Sequence, residues 1–596
     1  MITMTGAELI ARLLERQGIR IIAGIPGSAN LPLYDALGQS ESIRHVLARH
    51  EQGAGFIAQG MARATGQPAV FLATSGPAAT NTLTALADAK LDSVPIICIT
   101  GQVPRAMIGT DAFQEVDTYG MSIPVTKHNF LVRSAAELLD IIPEAFRIAM
   151  SGRPGPVLVD VPKDVQCEEA SFDRWPEPGR ADTPPAFDPA AVARAAELIN
   201  AAEKPILYLG GGIVHAGAAG SAIRLAETAS LPTTMTLMGL GAMPVDHPLS
   251  LGMLGMHAAR FTNMALEECD LLIATGARFD DRATGKVAEF CPQAKIVHID
   301  IDHSELDKIK TAHVGIRGDV GEVLEALLPR IQPNPRAEWL ARIEELRRDF
   351  PMDMPGVDDA RTPYGLIAET ARRLDDTAII ATDVGQHQMW AAQAYPLRRP
   401  RQWLTSGGLG TMGFGMPTAL GAALAQPHRT VVCFSGDGSL LMNIQELATA
   451  VEEQANVKIV VMNNNSLGLV RQQQDLFYGQ RVFAVDYRVA VDFCAIARGF
   501  GMRTADLGAT DDPAGLLADA LASPGPCLIH APIDVHEKVY PMVPPGGANR
   551  DMLAPEAVAG RRKNLGTDPS RHAFRVTPLG QSRFFASGFE QKGENL

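Results

Sequence analysis

Short apolar runs rich in β-branched residues recur along this chain and alternate with longer stretches whose Ala, Leu and polar positions follow a helical period. Pro95-Ile-Ile-Cys-Ile, Ile206-Leu-Tyr-Leu, Thr430-Val-Val-Cys-Phe and Lys458-Ile-Val-Val-Met are uninterrupted apolar segments, the pattern of strands buried on both faces of a parallel sheet. Between such runs, the spacing predicts helices over about Ala54 to Thr65, Pro417 to Ala425 and Met442 to Glu453. Strand and helix in this alternation predict an α/β protein built from doubly wound parallel sheets. Three stretches rich in Pro or in polar and charged residues interrupt the pattern, from Trp175 to Pro189, Pro329 to Pro335 and Asp349 to Pro363. They predict domains over 1–175, 187–335 and 360–540, followed by a C-terminal extension over 541–596. After Leu553 that extension turns basic and rich in Gly, Ser and Pro, which predicts a partly mobile tail.

The length, 596 residues, exceeds what one core can serve and suits several domains. With 46% hydrophobic and 20% charged residues the composition is that of a globular chain. No run approaches the roughly 18 apolar residues that span a bilayer. The first residues also lack the basic and apolar regions of a secretory signal, so a cytoplasmic protein without membrane contact is expected. A net charge of -14 opposes phosphate backbones and argues against nucleic acid as a partner. The seven cysteines are scattered, with no Cys-x-x-Cys pair, and predict buried thiols, not a metal site.

Two segments repeat one another at an offset of about 360 residues. Ser75-Gly76, Asn81 and the strand at Pro95 run parallel to Ser435-Gly436, Asn443 and the strand at Lys458, and a small-residue helix precedes each series. Two related domains flanking a third predict a ligand held between them, at the carboxyl ends of strands.

The most informative chemistry lies in the second copy. After the strand at Thr430 come Gly436-Asp437-Gly438-Ser439, where glycines admit a phosphate to the backbone and a carboxylate can hold a hard cation. Alone, Asp-Gly after a strand is an ordinary turn. The next strand ends in Asn463-Asn464, 27 positions beyond Asp437 for the second Asn, and a strand–helix–strand unit returns the chain to the same sheet edge. A competing motif, Gly408-Leu-Gly410-Thr-Met-Gly413, fits the dinucleotide fingerprint G-x-G-x-x-G, but Trp403-Leu-Thr-Ser before it is a poor strand and no acidic residue is placed for a ribose.

Gly436-Asp437-Gly438 with Asn463-Asn464 resembles the thiamine-diphosphate motif, and from about residue 4 to 550 the chain is similar to the catalytic large subunits of acetohydroxyacid synthases (acetolactate synthases). Further matching segments include Gly109-Thr-Asp-Ala-Phe-Gln-Glu, Thr126-Lys-His-Asn, Gly276-Ala-Arg-Phe-Asp-Asp-Arg and Asp383-Val-Gly-Gln-His-Gln-Met-Trp. The resemblance implies three domains: pyrimidine-binding, central and Rossmann-like, and diphosphate-binding. It implies that Asp437, Asn464 and the carbonyl of Ser466 hold Mg²⁺. Gly436, Gly438, Ser439, Gly468, Gln386 and His387 would meet the diphosphate, while Pro77, Asn81, Gly410 and Met412 would meet the rest of the coenzyme. Met412 would support its bent form. Glu51 matches the family's proton-relaying glutamate, although read by itself it is a helix-start carboxylate favoured by the dipole. Ser28, Phe113, Gln114, Lys163, Arg282 and Gln473 would line the substrate side.

For the middle domain the resemblance implies FAD. Gly210, Gly211 and Gly212, then Thr236, Gly255, Met256, His257, Gly276, Arg278, Asp280, Asp300 and Asp319 occupy matching turns; the flavin does no net redox chemistry in the resembling enzymes. The activity implied is decarboxylation of pyruvate and condensation of the two-carbon unit with pyruvate or 2-ketobutyrate, the first common step towards branched-chain amino acids. Gln473 and the segment Val539-Tyr-Pro-Met-Val-Pro-Pro-Gly546 are similar to the bacterial type I isozymes. A homodimer or tetramer is implied, because family sites form between chains, and a small valine-sensing regulatory subunit is compatible with the match. The alternatives are another carboligase or decarboxylase of the same fold, or a subunit that keeps the fold without catalysis. Ser28, Asn30, Ala78 and Ala258 depart from the family's usual Gly, Ile, Gly and Gly; a Cβ where positive φ is needed costs about 1 kcal/mol.

Overall fold

A computed structural model describes residues 1–554; the expected mobile tail lies outside the described residues beyond that point. Among the described residues three six-stranded sheets, each wholly parallel and flanked by helices, form the domains, and a two-stranded antiparallel pair joins residues 2–5 to 169–172. The first comprises β1 (Ile21–Gly24), β2 (Arg44–Leu47), β3 (Ala69–Ala73), β4 (Ile96–Gln102), β5 (His128–Leu131) and β6 (Val157–Pro162), in the order β2-β1-β3-β4-β6-β5. The second has β7 (Pro205–Leu209), β8 (Thr233–Met235), β9 (Ser250–Met253), β10 (Leu271–Thr275), β11 (Lys295–Asp300) and β12 (Val314–Arg317), ordered β9-β8-β7-β10-β11-β12. The third has β13 (Ile379–Thr382), β14 (Trp403–Leu404), β15 (Val431–Gly436), β16 (Val457–Asn463), β17 (Arg503–Asp506) and β18 (Cys527–Pro532), ordered β14-β13-β15-β16-β18-β17.

The outer two sheets therefore share one strand order, as two copies of one unit would, and the middle sheet has the order of a dinucleotide-binding fold. The copies meet through their matching helices, α1 (Glu51–Thr65) and, in the third domain, α4 (Gly415–Ala425). The backbones touch at glycines on both sides: a Cβ on Gly60 or Gly421 would lie 2.0 or 1.9 Å from the carbonyl oxygen of Thr418 or Ile57. The small-residue runs seen in the sequence are thus the contact face of a helix pair. One continuous apolar cluster consequently joins Ala54, Ile57 and Ala58 to Ala419, Leu420 and Ala423.

Several expectations are revised. The helix expected over about Met442 to Glu453 is a single turn at Asp437–Leu440 and then, after a break, α5 (Glu446–Glu452). Ser28, Ala78 and Ala258 all lie outside the positive-φ region, so the strain expected of a Cβ there does not arise. Residues 541–554 dock on the middle domain, where Val543 N–H donates to the Met256 carbonyl at 2.9 Å and Asn549 Nδ2 to that of Ala283 at 3.0 Å. Six cysteines are buried and Cys167 is exposed. No helix among the described residues is long and apolar enough to cross a membrane.

Candidate functional site

The carboxyl ends of β15 and β16 carry a cluster of buried polar groups. The parallel register sets Gly436 beside Met462, so the turns beginning at Asp437 and Asn464 leave the sheet side by side. Asp437, only 4% exposed, accepts from its neighbour's Gly438 N–H at 2.8 Å through Oδ1 and from Ser466 N–H at 3.1 Å through Oδ2. Asn464 Oδ1 accepts from the same Ser466 N–H at 3.2 Å. Two oxygens from different strand ends thus converge on one point, an oxygen-rich arrangement suited to a hard cation. Burial pushes the Asp437 carboxyl up to about 6.

The next strand over, β13, delivers α3 (Gln386–Ala394) to the same edge. Gln386 Oε1 accepts from Asn464 Nδ2 at 3.2 Å, and its Nε2 donates to Gln472 Oε1 at 3.0 Å. His387 lies over Gly436, where a Cβ would meet the ring at 2.9 Å, and its buried Nε2 has no partner. Burial lowers the ring to about 3, so it is neutral. A Cβ on Gly468, the first residue of α6 (Gly468–Phe477), would strike Gln386 Oε1 at 2.0 Å. Ser439 Oγ donates to the Val384 carbonyl at 2.9 Å. Gly410 (φ +72) and Met412 sit in the loop entering α4, which closes this side.

The residues expected from the first domain gather at the carboxyl edge of its own sheet. Ser28 follows β1, Glu51 follows β2, Pro77 and Asn81 follow β3, Phe113 and Gln114 follow β4, and Lys163 follows β6. His50 caps α1 by accepting from Gln52 N–H at 3.1 Å, which leaves Glu51 at the first helical position. Asn81 Nδ2 donates to Glu51 Oε2 at 3.0 Å. Phe113, an apolar ring, is 85% exposed among the described residues. Among the described residues no hydrogen bond joins Glu51 to the Asp437 cluster; the neighbouring backbone N–H of Arg49 donates instead to Glu446 of α5 at 3.0 Å. Within the chain Glu51 thus stands at the carboxyl edge of the first sheet and Asp437 at that of the third.

A cleft of about 760 Å³ runs along the carboxyl edge of the middle sheet and ends against the third domain. Gly210, Gly211, Gly212, Thr236, Met256, His257, Gly276, Arg278, Asp280, Asp300 and Asp319 line it, as do Arg282, Gln473 and Gly410 at its far end. Gly255 stands behind the wall, where its φ of +96 and a Cβ distance of 2.3 Å to the Arg282 carbonyl require glycine. Backbones after β7 and β10 touch, since a Cβ on Gly210 would lie 2.0 Å from the Gly276 carbonyl.

Further polar residues shape these sites without having been singled out in the sequence. Asp383, fully buried, accepts from Gly413 N–H at 2.8 Å and so fixes the end of the Met412 loop. His530 Nδ1 faces Asp506 at 2.9 Å while its Nε2 faces Asn463 Nδ2 at 3.0 Å, next to the Asn464 turn. With Cys494 these two bring three potential ligand atoms within 4.8 Å, from three separate segments. Strand register pairs Asp506 with His530, and the helix Phe493–Gly499 brings Cys494 to them.

The three sheets correspond to three matched models: the N-terminal thiamine pyrophosphate binding domain over residues 4–121, the thiamine pyrophosphate enzyme central domain over 192–327 and the C-terminal binding domain over 383–531. Fold and site together define a thiamine pyrophosphate enzyme. The chain is 62% identical over 549 residues to the acetolactate synthase isozyme 1 large subunit of Escherichia coli (strain K12), covering 92% of this chain and 97% of that protein. It is 47% identical to the isozyme 2 large subunit of the same organism, over 92% and 99% of the two chains, and 44% identical to a probable acetolactate synthase large subunit of Methanocaldococcus jannaschii, over 94% and 97%. The chain belongs to the acetolactate synthase family.

Proposed function

We propose that this chain is the catalytic subunit of a cytoplasmic acetolactate synthase that decarboxylates pyruvate and joins the two-carbon unit to a second pyruvate or to 2-ketobutyrate. The observation that carries this reading is the convergence of Asp437 Oδ2 and Asn464 Oδ1 on one Ser466 N–H, beside a buried His387 Nε2 without a partner. A buried carboxylate satisfied by backbone N–H groups alone fits a divalent cation, because an isolated charge there is costly. Mg²⁺ would be held by Asp437, Asn464 and the Ser466 carbonyl. His387, Gln386, Gly436, Gly438, Ser439 and Gly468 would cradle the diphosphate, since a Cβ at these glycines would push His387, Tyr487 and Gln386 out of their places. Bound thiamine diphosphate supplies the electron sink for decarboxylation and carbon–carbon bond formation.

Glu51, whose carboxylate Asn81 fixes, would hold the proton exchanged with the coenzyme's pyrimidine ring, and Pro77, Gly410 and Met412 would support the coenzyme. Because Glu51 and Asp437 belong to separate half-sites of one chain, a second copy completes each site, and the exposed Phe113 fits a face covered in that dimer. Ser28, Phe113, Gln114, Lys163, Arg282 and Gln473 line the substrate approach, where Lys163 and Arg282 suit a keto-acid carboxylate. The 760 Å³ cleft and its glycine turns fit FAD, whose pyrophosphate would approach Gly210–Gly212 and Gly276 and whose ribose or adenine suits Asp300. The relatives' designation as large subunits supports a smaller regulatory partner.

Purified protein given pyruvate, thiamine diphosphate, Mg²⁺ and FAD tests the reading. Acetolactate that disappears when thiamine diphosphate or Mg²⁺ is omitted supports it. Acetaldehyde as the sole product would transfer the chain to a decarboxylase of the same fold.

A further inference from the structure

The first domain reaches the Met412 loop of the third through two buried carboxylates. Asp88 and Asp92 lie one turn apart, on and just beyond α2 (Leu83–Leu91), and are 0% and 6% exposed. Asp88 accepts from Ser406 Oγ at 2.5 Å and from Thr411 Oγ1 at 2.7 Å. Asp92 accepts from the N–H groups of Gly407 and Gly408 at 3.1 and 2.7 Å. Arg63 of α1 lies between them, 3.3 Å from Asp88 and 2.8 Å from Asp92, and also donates to the Thr405 carbonyl at 3.1 Å. One guanidinium thus faces two carboxylates, and the excess negative charge is satisfied by four donors from a single loop. Moving that loop away would strand a buried charge, which costs far more than an ordinary hydrogen bond contributes.

The far end of the loop is fixed within its own domain. Gly413 donates to Asp383 at 2.8 Å, and Asn443 Nδ2 donates to the Gly413 carbonyl at 2.7 Å. Gly410 and Met412 stand between these two anchorages. The same segment is a wall of the middle-domain cleft, which Arg63, Asp92, Ser406, Gly407, Gly408 and Gly410 line. Met238, from the turn after β8, packs against it closely enough that a Cβ on Gly407 would meet its sulfur at 2.3 Å.

We propose that Asp88 and Asp92 are positioning residues that make the 405–412 loop one rigid wall shared by the cleft and the coenzyme site, so that a flavin dinucleotide in the cleft and thiamine diphosphate bind with coupled free energies. The inference rests on the function proposed above. Asp88 stands outside the cleft and acts through the loop; Asp92 holds the loop and also borders the cleft. Such coupling is reciprocal, each ligand tightening the other by the same factor.

Titration of the full-length protein with FAD, with and without thiamine diphosphate and Mg²⁺, measures that factor, and the converse titration checks it. The wild type is expected to show a factor of roughly five or more. Asp88→Asn removes the charge and one acceptor oxygen while keeping the volume. It is expected to bring the factor to about one, and to lower kcat roughly tenfold with little change in KM for pyruvate. A purely structural role would lower stability and leave the factor intact. Ser406→Ala with Thr411→Val leaves both carboxylates beside Arg63 and is expected to lose the coupling as well, which keeps the test open should Asp88→Asn not fold. Independent affinities in the wild type, or an intact factor in a folded variant, would overturn the proposal. A wild type that bound neither ligand would instead remove the function on which it rests.

Discussion

Gly60 and Thr418 approach so closely across the domain boundary that a Cβ on Gly60 would lie 2.0 Å from the Thr418 carbonyl oxygen. The obstacle is backbone, which cannot rotate away as a side chain can. Gly60→Val is therefore expected to force α1 from α4 and to destabilise the protein by about 3 kcal/mol or more, above the ordinary overpacking range because the obstacle cannot yield. A lowered apparent Tm with loss of both half-sites checks this; a Tm equal to the wild type would mean that the helices separate freely.

Glu51→Gln preserves the acceptor that Asn81 engages at 3.0 Å, so folding is expected to be unchanged. Turnover is expected to fall roughly 10²- to 10⁴-fold, the usual worth of a positioned acid or base, while coenzyme affinity stays within about twofold. Steady-state kinetics and a binding titration on one preparation measure both. Unchanged turnover would remove Glu51 from the proton path.

The Asp437 carboxyl gives the site a pH dependence whose sign follows from its raised value of about 6. A cation binds the carboxylate, so below that value a proton must first be displaced, whereas above it none need be. Apparent Mg²⁺ affinity, measured with thiamine diphosphate at several pH values, is expected to fall by up to about tenfold per unit below pH 6 and to level off above it. His387, held down to about 3, stays neutral through that window and adds no slope. Affinity constant from pH 5 to 7 would show that no carboxyl raised towards 6 binds the ion.

His530 is expected to matter at a distance. Asn463 Oδ1 accepts from Asn465 N–H at 3.0 Å, so its amide nitrogen is the group facing His530 Nε2, and the ring proton sits on Nδ1 towards Asp506. That proton opposes a metal at the Cys494, Asp506 and His530 cluster and makes the imidazole a brace for the Asn463–Asn465 turn. His530→Ala is expected to weaken Mg²⁺ binding roughly tenfold, as loss of a partner behind a metal ligand does. Equal Mg²⁺ affinities in the two proteins would show that the turn holds without the ring.

Much of the site was legible because its residues sit where local pattern changes. Asp437 and Asn464 end apolar strands, and glycines mark the turns of the middle domain. Glu51 was ambiguous for the opposite reason: an acid at a helix start has an ordinary local explanation, and only its bond to Asn81 at the same sheet edge distinguishes it. Asp88, Asp92 and His530 had no signal, since nothing near them in sequence differs from a common helix or strand; Asp383 opens a matching segment, but its hold on Gly413 was not legible there.

What the amino-acid order determined alone was the alternation of strand and helix, the repetition of one unit about 360 residues apart and the motif that presents oxygen ligands at strand ends. These are short-range properties, set by side-chain periodicity and turn chemistry within some thirty residues. The tertiary structure decided which carboxylate meets which loop, that α1 and α4 touch through backbone, that residues 541–554 close over the middle domain and that Glu51 and Asp437 stand at the carboxyl edges of different sheets. Such contacts join residues hundreds of positions apart, and they depend on how whole sheets pack, which no local pattern records.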